Sequence, residues 1–276
     1  MRKSRTAALF LVTPLVLLGF AGVSQAQLVL YDDFNTKPIN PAKWFGTENS
    51  TGSLSPDTEE ARKIAKGQLE MDLTMYGRTD SNTGVAGNAT HNLHHTNPSA
   101  VTTIQADVTI KSVAVVACAS NPSPTRARGQ MGGAFFNDGT SPGAGNRTGD
   151  IFAGIQKVRD TSLGDRTELY IARCTNSGCT ANTTLTSTLF TAVWVTGVAD
   201  TQRLQWDQPN HRFVYTLNPS GLSSETKTLS YSVSDSSPAG SNNKLIGVAN
   251  SAANCLSGPR TSSSMKALFD NVMVNP

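Results

Sequence analysis

Alternation of apolar and polar residues is the main pattern along this chain. Leu69, Met71, Leu73 and Met75 alternate with Glu70, Asp72 and Thr74. Ile104, Ala106, Val108 and Ile110 alternate with Gln105, Asp107, Thr109 and Lys111. Leu204 and Trp206 oppose Gln205 and Asp207, and Gln208-Pro209-Asn210 then turns the chain into Phe213, Tyr215 and Leu217. Leu229, Tyr231 and Val233 follow the same rule. Period two places successive side chains on opposite faces of a strand, so each run predicts a half-buried strand. Further strands are expected at 131–136, 151–158, 169–174, 185–195, 245–249 and 265–274, each near Gly, Pro, Asn or Ser turn residues. About a dozen short strands with one apolar face imply two packed antiparallel sheets.

Three stretches depart from alternation. Ser55-Pro56-Asp57-Thr58-Glu59-Glu60 has a cap residue, a proline and first-turn acids, which predicts one helical turn before a hairpin entered at Ala61–Ile64. The stretches 79–98 and 137–149 are polar and read as loops. The first contains His91-Asn92-Leu93-His94-His95, three of the four histidines. That spacing suits a transition metal, but no carboxylate lies near it in sequence, so a solvated loop is the expectation.

The N-terminus changes the reading of charge. Arg2, Lys3 and Arg5 precede an apolar run from Ala7 to Val23, and Ser24-Gln25-Ala26 supplies small residues for cleavage after Ala26. This is a secretory signal pattern, so 1–26 is expected to be removed and 27–276 to form a single domain, secreted or periplasmic. The whole chain has 23 Lys+Arg and 20 Asp+Glu, but three of the basic residues and none of the acids lie in 1–26. The expected mature part is neutral. It offers no electrostatic case for nucleic acid, and no segment after the signal is apolar enough to anchor it in a membrane.

Export gives the cysteines a role. Cys118, Cys174, Cys179 and Cys255 all follow the signal, and an even count outside the cell reads as disulfides. A turn sequence separates Cys174 from Cys179, so a hairpin bridge is natural there, which leaves Cys118 with Cys255.

Both ends of the expected domain resemble the concanavalin A-like lectin/glucanase superfamily. Leu30-Tyr31-Asp32-Asp33-Phe34 followed by Asn40-Pro41-Ala42-Lys43-Trp44 is similar to its opening, and Phe269-Asp270-Asn271-Val272-Met273-Val274 to its last strand. Arg62-Lys63-Ile64 before Gly67-Gln68-Leu69 is similar to its first hairpin. The resemblance implies an all-β, two-sheet antiparallel jelly-roll sandwich with a concave sheet suited to glycans. Glucanases of the superfamily carry Glu-x-Asp-x-x-Glu on one strand. Here Glu70-Met71-Asp72 is followed on that face by Thr74 and Tyr76, so the second Glu is missing and a solvated strand face is expected. No Gly-x-Ser-x-Gly elbow, P-loop or dinucleotide fingerprint occurs in a fitting context.

The expected ligand-binding residues, as polar groups on strands or at strand ends, are Glu60, Arg62, Arg128, Asn137, Asp150 and Arg173. Trp44, Trp194 and Trp206 are assigned to the core. If the first and last strands pair, Asp33 and Asp270, with Asp32 nearby, are candidates for a structural Ca²⁺ site. No other cofactor is indicated. The leading expectation is a secreted, non-catalytic module binding carbohydrate or a cell-surface polymer. The alternatives are a structural matrix or surface protein acting through protein contacts, and a divergent glycoside hydrolase or lyase.

Overall fold

The structure is a computed structural model, and it describes residues 27–46, 57–97, 100–241 and 243–275. The expected signal segment lies outside these residues. The described chain folds into two antiparallel sheets. The first contains, in spatial order, β13 (Glu225–Ser230), β12 (Arg212–Pro219), β11 (Ala199–Asp207), β6 (Thr103–Val115), β15 (Ser262–Val274), β4 (Gln68–Tyr76) and β3 (Thr58–Ala65). The short β1 (Val29–Asp32) also pairs with β15, which joins the two ends of the domain. The second sheet runs β10 (Asn182–Leu189), β9 (Gly164–Cys174), β8 (Asp150–Asp160), β7 (Arg126–Asn137), β14 (Lys244–Ser251), β5 (Ala89–His95) and β2 (Trp44–Phe45).

The alternating residues form the core. Leu69, Met71, Leu73, Ile104, Ala106, Val108, Ile110, Leu204, Phe213, Tyr215 and Leu217 are buried from the first sheet. Met131, Ile151, Ala153, Ile155, Leu169, Ile171, Ile246 and Val248 meet them from the second. Trp44 and Trp194 are core residues, while Trp206 is half-buried, stacked on Phe136 and donating to the Tyr231 hydroxyl at 2.7 Å.

Polar groups also cross the sandwich. Lys157, fully buried, meets Asp200 at 2.8 Å and donates to the Val108 carbonyl at 2.6 Å. Asn250 donates to the carbonyls of Leu73 and Ser263. Each contact satisfies a group that would be costly to bury alone.

Several local expectations need correction. Ser55 and Pro56 lie outside the described residues, and from Thr58 onward the expected helical turn is strand β3, paired along its length with β4. Alternation continues there through Glu60, Arg62 and Ile64, and the long pairing outweighs one capped turn. His91–His95 is strand β5, not a loop: His91, Leu93 and His95 face inward, and His91 and His95 are fully buried. A neutral imidazole fills an apolar position as a flat ring, so the period was present under residues counted as polar. The strand expected at 185–195 ends at Leu189, where Phe190 and Trp194 leave the edge and turn into the core. The run through Tyr231 and Val233 leaves strand geometry after Ser230. Glu70 is not solvated: it is buried beneath Lys63 at 3.1 Å, Lys111 at 2.8 Å and Lys266 at 3.9 Å.

Both expected disulfides are present, Cys118–Cys255 and Cys174–Cys179, across sequence separations of 137 and 5. Loop-closure entropy assigns about 5 kcal/mol to the long link and about 2 kcal/mol to the short one. Replacing both Cys118 and Cys255 by Ala should therefore cost more than twice as much in denaturant-unfolding free energy as replacing Cys174 and Cys179. Equal costs would contradict the entropic account.

Candidate functional site

The outer face of the second sheet carries a groove of about 1100 Å³ that crosses from β5 to β10. Strand pairing explains its shape. Side chains facing outward on β5, β14, β7, β8 and β9 form rows across the sheet. One row runs His94, Leu245, Gly132, Gly154 and Tyr170; the next runs Asn92, Gly247, Gln130, Gln156 and Glu168. Three glycines stand among large planar side chains. A Cβ on Gly154 would sit 2.6 Å from the Tyr170 hydroxyl, so that ring lies over the bare glycine backbone. A Cβ on Gly247 would sit 2.2 Å from Asn92 Oδ1. Missing side chains thus make the floor, and neighbouring strands lay aromatic and amide groups across it.

The groups on this floor are held in place. Gln130 Nε2 donates to Asn92 Oδ1 at 3.2 Å. Gln156 Nε2 donates to Glu168 Oε2 at 2.7 Å. Glu168 also accepts from Arg126 at 2.8 and 3.0 Å and from Arg166 at 2.6 Å. Arg166 in turn meets Asp160 at 2.5 Å. Phe152 and Tyr170 stack with centroids 6.1 Å apart, and His94 stacks on Phe45 at 5.1 Å. From the core side, the Tyr215 hydroxyl donates to the Tyr170 carbonyl at 2.9 Å and pins the strand beneath the ring.

Burial shapes the ionisation of this region. It pushes the Tyr170 phenol up to about 12 and the Arg128 guanidinium down to about 10, so both stay protonated at neutral pH. Burial, helped by the charge of Arg147, pushes His94 down to about 4. His95 lies behind it between the rings of Tyr31 and Trp44; burial first, then the charges of Lys244 and His94, push it down to about 3. Neither ring nitrogen of His95 has a hydrogen-bond partner among the described residues.

The structure separates the six expected ligand residues. Arg128 lines the groove. Asn137 and Asp150 do not: both are fully buried, joined at 2.9 Å, and they hold loop backbone at Thr148, Gly139, Gly240 and Ser241. Arg173 is tied to Asp138 at 2.5 Å and Thr140 at 2.7 Å, bracing the same loop. Glu60 and Arg62 lie on β3 in the other sheet, on its inward face with Ile64; Glu60 meets the buried His91 at 2.8 Å. Sequence reading missed Asn92, Gln130, Gln156, Glu168 and Tyr170. The available signal was glycine inside strands at 132, 154 and 247, which marks close approach of a neighbour.

The acidic pair has a different environment. Asp33 accepts from the Asn35 backbone amide at 3.2 Å, and the Asn35 side chain first, then that amide, lowers its carboxyl. Asp270 accepts from Gln68 at 3.3 Å and from the Asn271 amide at 2.8 Å; partial burial, with Asp107 and Asp33 nearby, raises it. Asp32 is committed elsewhere, to the Trp44 indole at 2.7 Å and the Phe34 amide at 3.0 Å. No group of three or more His, Cys, Asp or Glu arranged for a metal ion occurs among the described residues.

Neither a family model nor a curated protein matches this sequence. Solved structures that resemble it include the acidic lectin of winged bean, complexed with methyl-α-D-galactose, at 11% identity over 91% of this chain and 99% of that one, TM-score 0.40. A legume lectin-like domain from Entamoeba histolytica matches at 9% identity over 88% and 98%, TM-score 0.38. A GlcNAcα1-4Gal-releasing endo-β-galactosidase from Clostridium perfringens matches at 10% identity over 91% and 63%, TM-score 0.42. Likeness at this distance leaves the site to be read from its own geometry.

The two low imidazoles make a testable acid limb. The unfolded rings take up protons near pH 6.5, whereas the folded rings stay neutral until about 4 and about 3. The unfolded state therefore binds more protons in that window, and stability falls as pH drops through it by about 1.4 kcal/mol per unit for each ring. Melting temperature should decline steeply below pH 6.5, and His95→Phe should flatten the slope. An unchanged slope in that variant would contradict the assignment.

Proposed function

We propose that this chain is an exported, non-catalytic carbohydrate-binding module whose site is the groove on the second sheet. The carrying observation is the floor itself: the Tyr170 ring lies over the Gly154 backbone, Phe152 stacks beside it, and the fixed amides of Asn92, Gln130 and Gln156 line the same groove. Sugars offer apolar ring faces edged by hydroxyls that donate and accept. Aromatic faces with preoriented planar polar groups complement both features at small entropic cost on binding. From β5 to β10 the face spans five strand intervals, about 24 Å at about 4.8 Å each, room for an oligosaccharide segment.

Most glycosidases work through two opposed carboxylates. Among the described residues lining the groove Glu168 is the sole carboxylate, and Arg126, Arg166 and Gln156 occupy its oxygens. This supports binding over hydrolysis. Two disulfides support an oxidising destination, and no described helix is long and apolar enough to cross a membrane.

Affinity electrophoresis against a panel of polysaccharides tests the reading. At least one polymer should retard the protein, and Tyr170→Ala and Gln130→Ala should each weaken retention about tenfold without shifting the melting temperature. Failure of every polymer to bind correctly folded protein would refute it. Self-association in sedimentation without glycan would then favour a structural role.

A further inference from the structure

We infer that the ligand of this groove is an acidic polysaccharide, whose carboxylate or sulfate groups pair with Arg128. This rests on the glycan reading above and names the polymer class.

Arg128 is set apart from the other arginines of this face. Its cross-strand neighbours are Ala249 and Val158, so the register provides no acid beside it. Its hydrogen bonds go to neutral acceptors, the Ala249 carbonyl at 3.3 Å and Asn88 Oδ1 at 3.2 Å. Arg126 pairs with Glu168 at 2.8 Å, Arg166 with Asp160 at 2.5 Å, and Arg173 with Asp138 at 2.5 Å. Glu168 exerts some attraction on Arg128, but its oxygens are already taken by Arg126, Arg166 and Gln156. A second cation of the groove is also under-satisfied. Arg147 reaches Asp150 at only 3.9 Å, and its buried Nε has no hydrogen-bond partner among the described residues.

The described lining therefore holds three guanidinium groups, Arg126, Arg128 and Arg147, against the single carboxylate of Glu168. A guanidinium given only neutral acceptors gains from an incoming anion, because a charge-assisted fork supplies the ionic partner that its own sheet does not. Tyr170, which lines the same groove, offers a ring face for the sugar bearing that anion.

Calorimetry of the protein with polygalacturonate, alginate, dextran sulfate, laminarin and dextran tests the inference. The acidic polymers should bind about tenfold or more tighter than the neutral ones, and added salt should erode the difference. Arg128→Gln should lose about tenfold on acidic polymers and clearly less on neutral ones, with an unchanged melting temperature. Arg128→Lys keeps the charge without the fork and should lose less. Methyl-esterified polygalacturonate, which alters the ligand and not the protein, should bind wild type like a neutral polymer. Preference for polygalacturonate and alginate assigns a carboxylate, and preference for dextran sulfate a sulfate; either supports the inference. Neutral polymers binding as tightly as acidic ones, with no effect of Arg128→Gln, would overturn it and leave the glycan reading standing. No binding to any of the five would overturn both.

Discussion

The site depends on the contact between Tyr170 and Gly154. A side chain on a strand ordinarily stands away from its sheet, separated from the next strand by that strand's own Cβ. Where the cross-strand partner is glycine, a ring can lie across the backbone. Gly154 faces Tyr170 and has Gly132 on its other side, so the tyrosine lies low and the space above stays open. A methyl group at 154 would meet the hydroxyl at 2.6 Å, displacing the ring and raising the floor together. Asn92 over Gly247 repeats the device nearer the other edge, and Gln130 locks that amide in orientation. Glycine weakens strands, so its use at these positions has to be offset by packing elsewhere.

The offset lies in the core directly behind the groove. Tyr215 from the first sheet donates to the Tyr170 carbonyl, and Trp194 donates to the Arg166 carbonyl at 3.1 Å. Both donors end on β9, the strand that presents Tyr170 and Glu168 outward. On the neighbouring strand, Lys157 reaches across to Asp200 and the Val108 carbonyl. Inward donors thus fix the strands whose outward residues make the site. Such buried polar contacts specify position more than they add net stability. Rigid placement is what the sugar site proposed above needs, since such a ligand offers few anchors and any ordering on binding subtracts from affinity.

Much of the fold was legible because alternation directly reports which face is buried. The strands at 69–75, 104–110 and 204–217 appear where the pattern puts them, and both disulfides are the ones expected from an even cysteine count and a turn sequence. Legibility failed where residue type concealed burial. His91 and His95 are neutral rings in the core, yet any polarity scale counts them as polar, so β5 read as loop. Asn137 and Asp150 are polar residues at strand ends, as expected, but Asn137 holds the backbone of its own loop and Asp150 that of the loop before β14. Arg128, which lines the groove, is named from the sequence, but Asn92, Gln130, Gln156, Glu168 and Tyr170 are not, because a row runs across five strands from distant parts of the sequence and period along one strand says nothing about register between strands.

Strand-internal glycine is the cue that bridges this gap. Gly132, Gly154 and Gly247 each interrupt a strand that otherwise reads as well packed, at positions whose neighbours two residues away face outward. Pairing Gly132 with Gly154 and placing Gly247 beside Gln130 gathers them into one patch, something only the register reveals. What surrounds the patch then follows from its openness. Charged groups beside the floor either pair among themselves, as Glu168 does with Arg126 and Arg166, or are left with neutral acceptors, as Arg128 is. Arg128, flanked by Ala249 and Val158 rather than by an acid, brings a positive charge to the groove that the glycines open, and so ties the shape of the proposed site to the charge of the ligand inferred for it.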